Sequence, residues 1–114
     1  MWDEQAIAAI RAAVAIGDYE IHLQHSDEHA DEGIALPDAE YVMLHGDVIE
    51  YREESGRWLF CDVVASLRQD ARFRGRWLHV AVQYDDEDTT VVVVTMYRPL
   101  VHLWITEKKR RARR

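Results

Sequence analysis

The chain has 114 residues, nearly half of them hydrophobic, which is enough for one domain with a single core and no staples. Its net charge of −7 is uneven: Lys108, Lys109, Arg110, Arg111, Arg113 and Arg114 form a basic tail, and without residues 107–114 eight basic residues face twenty acids, a net of −12. So acidic a body excludes general nucleic-acid binding unless positive charge is gathered locally. The lone Cys61 excludes an internal disulfide, and no apolar run reaches the length of a membrane span.

These features and an acidic rather than basic start point to a soluble cytoplasmic protein. In chain order, Asp3 caps a predicted N-terminal helix over 3–16, with Ile7, Ile10 and Val14 on one stripe and Gly17 closing it. Tyr19 to Gln24 alternates as a half-buried strand with Tyr19, Ile21 and Leu23 inward. Ser26 starts a short helix ended by Gly33. Pro37, placed at the first helical position, opens another that runs to Gly46.

Val48 to Arg52 and the apolar run from Trp58 to Leu67, joined by a Glu-Ser-Gly turn, form a hairpin. Arg68 to Arg76 is the only basic stretch inside the body. After it, Trp77–Tyr84 and Thr89–Tyr97 read as two strands around the acidic turn Asp85–Asp88, the second apolar enough on both faces to be the central strand. Burying like with like pairs Tyr84 with Thr90, Val82 with Val92, Val80 with Val94 and Leu78 with Met96. The other face then carries Trp77 beside Tyr97 and His79 beside Thr95. Pro99 ends the last strand, and 101–111 is expected to close the chain as a short helix. The fold class is α+β, with N-terminal helices on a curved antiparallel sheet of about four to five strands.

The order of His25, Gly33-Ile34, Val48-Ile49-Glu50-Tyr51, Leu78-His79-Val80 and Thr95-Met96-Tyr97-Arg98-Pro99 resembles a widespread prokaryotic domain-of-unknown-function family, the 4258 group. That family is usually considered related to the RelE and barnase–EndoU–colicin toxin ribonucleases. The resemblance spans 19–104, with the N-terminal helix and basic tail outside it. It implies helices on one face of a curved sheet, a pocket on the other, and a site drawn from His25, His79, Thr95, Tyr97 and Arg98. In the family the short helix carries arginines after its histidine, whereas here acids surround His29.

Cleaving RNA with its own 2′-hydroxyl needs a base near neutral pKa, a cation for the phosphate and an acid for the leaving oxygen. His25 or His79 suits the first and last roles, Arg98 the cation, and Tyr97 a donor to phosphate, with no metal or cofactor. The plainer account of a lone strand histidine is a satisfied hydrogen-bonding residue, and of Thr95 and Tyr97 ordinary strand packing. Arg68, Arg72, Arg74 and Arg76 around Phe73 suit a phosphate backbone with one base stacked on the ring, or a solubilising loop. His25, His29 and Glu32 share a helical face that zinc can use, but a solvated acidic helix explains them more simply.

Two functions follow from these residues. One is a RelE-related, metal-independent endoribonuclease acting on RNA, with an antitoxin-like partner. The other is a non-catalytic protein-interaction module of the same fold, binding another protein or pairing as a homodimer through its acidic body and basic tail, with Trp2 and Trp104 as anchors.

Overall fold

A computed structural model describes residues 3–23, 34–100, 104–106 and 109–110. Two helices, α1 (Glu4–Ala15) and α2 (Leu36–His45), pack on a sheet built from β1 (Glu20–Ile21), β2 (Asp47–Arg52), β3 (Arg57–Val63), β4 (Trp77–Asp85) and β5 (Thr90–Tyr97). The strand order is β1-β5-β4-β3-β2, antiparallel except for the β1–β5 pair. The architecture is therefore α+β with an open, mostly antiparallel sheet. No helix among the described residues is long and apolar enough to cross a membrane.

Helix α1 begins where expected. Asp3 Oδ1 accepts the Gln5 and Ala6 N–H groups, which have no carbonyl of their own to bond in a first turn. Ile7, Ile10 and Val14 are buried, and Gly17 at φ 75° follows the helix end. Ala39, Val42 and Met43 bury the inner side of α2. Arg11 joins the two helices: its Nε donates to Met43 O at 3.0 Å and its Nη2 to Gly46 O. A cation at these last carbonyls also suits the negative end of the α2 dipole. Trp58, Phe60, Leu78, Val80, Val82, Val91, Val93 and Met96 complete the core under the helices.

The central strand is β4, not β5. Among the described residues β5 pairs on its outer side with the two-residue β1, and its apolar faces pack against the helices on one side and Trp104 on the other. The β4–β5 register also differs from expectation. Tyr84 pairs with Val91, Val82 with Val93, Ala81 with Thr95, Val80 with Met96 and His79 with Tyr97. A bulge at Val94 makes the change: Val91 and Val93 face the helices, Val94 joins the opposite face, and Met96 returns. Four successive valines offer no alternation from which to read this in advance.

Two further segments depart from the sequence reading. Ile21 and Leu23 are each 42% exposed, because the strand at 20–21 is a short parallel strand at the edge of the sheet. Tyr19 does pack on the core. The closing helix expected over 101–111 is replaced, among the described residues, by β6 (Trp104–Thr106) paired antiparallel with β7 (Lys109–Arg110). Aromatic and β-branched residues at 104–106 favour extended backbone, and Trp104 has a docking site on the sheet. The short helix expected from Ser26 lies outside the described residues.

Tyr19 makes a pH-dependent contact between the first strand region and α2. Its hydroxyl donates to Glu40 Oε2 at 2.6 Å, and burial together with this bond pushes the hydroxyl up from 10.0 to about 12. A raised folded-state value means the contribution is intact below pH 10.0 and is lost as pH climbs toward about 12. Urea unfolding at about pH 9 and about pH 11 is expected to show a fall in stability that is smaller in Tyr19→Phe. Equal falls in the two proteins would remove Tyr19 as its source.

Candidate functional site

The sheet face away from the helices carries the residues singled out for chemistry. His79 and Tyr97 are register partners on β4 and β5, and their ring centroids lie 5.2 Å apart in an edge-on arrangement. They share a face, as a common site requires. That face is closed at this point: Trp104 from β6 sits edge-on to His79 at 4.4 Å, and exposures are 0% for His79, 4% for Tyr97 and 0% for Trp104. The expected open surface is thus a packed aromatic cluster, which leaves no room for a phosphate against the imidazole. Trp104, expected as a surface anchor, is instead the lid. Thr95 is half-buried, and its Oγ1 has no hydrogen-bond partner among the described residues.

Arg98 was expected to supply the cation. It is buried, its Nη2 donates to Arg68 O at 2.6 Å and Gly75 O at 2.8 Å, and its guanidinium lies 4.4 Å from the Phe73 ring centroid. A loop with little regular structure must find donors for its carbonyls, and the fork of a guanidinium supplies several from one side chain. Two of the loop arginines, Arg74 and Arg76, act in the same way. Arg74 Nε donates to Trp104 O at 3.0 Å, and Arg76 Nε to Leu67 O at 2.7 Å. Phe73, expected to be available for stacking on a base, is buried and bridges to Leu100. The basic loop is therefore folded back against the segment that follows β5 and tied to the lid over His79.

Arg72 and Arg68 face outward. Arg72 is bound side-on by Asp70, whose carboxylate also accepts the Arg72 backbone N–H. These hydrogen bonds hold Asp70 down at about 2, so its carboxylate stays ionised at acidic pH where an ordinary aspartate takes up a proton. Sequence reading missed Asp70, although an Asp two residues before an Arg in a turn is a recognisable pattern. Arg68 is exposed, and with Asp70, Arg72, Phe73 and Arg98 it lines a depression of about 380 Å³.

His25, His29, Glu32 and Trp2 lie outside the described residues. His22 is exposed, with Nε2 3.1 Å from Glu20 Oε1. Among the described residues no group of three or more His, Cys, Asp or Glu is placed to hold a metal. Cys61 is buried opposite His79 in the β3–β4 ladder, as an apolar core residue would be.

No family model, curated protein or solved structure matches this chain.

Proposed function

We propose that this chain is a non-catalytic protein-interaction module, built on the α+β scaffold of the toxin-like ribonucleases whose motif order it resembles. The observation that carries this reading is the burial of His79 at 0% exposure beneath Trp104 and beside Tyr97. A general base or acid must reach the proton it transfers, and this imidazole has aromatic rings where substrate would stand. The acidic body supports it further, since a net of −12 outside the tail favours a basic partner over RNA. That partner is an antitoxin-like protein or a second copy of the chain.

Incubating the full chain with structured RNA tests this reading, with His79→Asn as control and circular dichroism to verify its folding. No His79-dependent cleavage is expected. Cleavage by the wild type that a folded His79→Asn loses would restore the endoribonuclease. The second reading, a metal-independent endoribonuclease, is favoured by one observation: the depression lined by Arg68, Arg72 and Arg98 collects guanidinium groups beside the strand bearing Tyr97.

A further inference from the structure

On the helix side of the sheet an open pocket of about 470 Å³ lies where the start of α1 meets the β2–β3 and β4–β5 turns. Its lining includes Asp3, Tyr51, Trp58, Tyr84, Asp85 and Asp86, and among the described residues no lysine or arginine. Tyr51 and Trp58 are register partners whose rings stack with centroids 4.1 Å apart and planes 28° apart. Trp58 is buried as the base of that stack, whereas Tyr51 remains 40% exposed. This wall is rigid because Trp58 belongs to the main core and Tyr84 packs against the same cluster.

Three carboxylates stand around the aromatic wall. Asp3 Oδ1 is used by the α1 cap, and Asp85 Oδ1 accepts the Glu87 N–H, which leaves the second oxygen of each carboxylate for a ligand. Aromatic faces attract cations, and a planar guanidinium both stacks on such a face and offers paired donors to carboxylates. The positive end of the α1 dipole opposes a cation here, but amounts to only about half a charge and already faces Asp3 and Glu4. An anionic ligand would meet three carboxylates.

We infer that this pocket seats an arginine side chain presented by a basic segment of a protein partner. The inference rests on the interaction-module reading and names the chemistry that module recognises. Among the described residues neither the sheet edge nor the closed His79 face offers an equivalent combination of cavity, π-surface and negative charge.

The test is calorimetric titration of the full-length protein with a synthetic peptide, Glu-Lys-Lys-Arg-Arg-Ala-Arg-Arg, the sequence of 107–114. A second peptide has every arginine replaced by lysine. The protein variants are Tyr51→Leu, the double variant Asp85→Asn with Asp86→Asn, and Glu20→Gln on the opposite edge of the sheet. The arginine peptide is expected to bind the wild type, and both pocket variants to weaken it about tenfold. Glu20→Gln should change it less than about twofold, and the lysine peptide should bind several-fold more weakly. The double variant carries the test should Tyr51→Leu unfold. No binding by the wild type, or equal losses from the pocket and Glu20 variants, overturns the inference. His79-dependent RNA cleavage would instead overturn the module reading, in a separate assay.

Discussion

Gly46→Ala is expected to lower stability by about 3 kcal/mol, as overpacking against unyielding neighbours does. A Cβ at this position would stand 2.5 Å from Val42 O and 2.7 Å from Cys61 O. Both are backbone atoms, one in the last turn of α2 and one in β3, so neither can swing aside as a side chain would. The backbone conformation is not the cause, because Gly46 has φ −76°, open to any residue. Glycine is required here by close approach: α2 runs directly into β2, and the junction lies against β3. Gly46 O also receives Arg11 Nη2, so a shift of the junction would disturb the contact between α1 and α2.

Gly17→Ala is the control. Its Cβ would meet nothing within 4 Å, but its φ of 75° is strained for alanine, and it should cost only about 1 kcal/mol. Urea midpoints for both variants would separate crowding from conformation. A Gly46→Ala loss no larger than that of Gly17→Ala would mean the α2–β2 junction yields. Against a total stability of roughly 5–15 kcal/mol, the expected loss is large enough to reduce the folded population at growth temperature.

Trp104→Ala should cost about 3–5 kcal/mol, as removal of a wholly buried tryptophan does. Its ring covers His79 and lies 6.4 Å from Tyr97, and its carbonyl accepts Arg74 Nε, so the ring and the basic loop support each other. The same variant should expose the His79 imidazole to diethyl pyrocarbonate, while Trp104→Phe retains most of both stability and protection. Unchanged modification of His79 in a folded Trp104→Ala would show that the lid is not what closes this face. The variant also makes a second use of the RNA assay: if burial alone silences His79, uncovering it is the change most apt to reveal cleavage.

The candidate residues were legible to different degrees. His79 and Tyr97 do share a face, since residues of matching parity on neighbouring strands must do so once the register is known. Their burial was not legible, because it depends on Trp104, which lies beyond Pro99 in the sequence and adopts a strand where a helix was expected. Arg98 and the loop arginines illustrate the same limit. A run of cations looks like a surface for phosphate until the carbonyls they serve are known. The pocket at Tyr51 and Trp58 gathers positions 3, 51, 58 and 84–86, and no local spacing could have assembled them.

Local chemistry determined the elements. The Asp3 cap, the stripe of Ile7, Ile10 and Val14, Pro37 before α2, and the β-branched arms around the acidic turn each act within a few residues, so the α+β class and most strand limits could be read directly. Tertiary structure alone decided which strand is central, where Val94 bulges, and how Trp104 covers His79. Those outcomes follow from competition among apolar surfaces far apart in the chain, where several arrangements satisfy the same local pattern and only packing separates them.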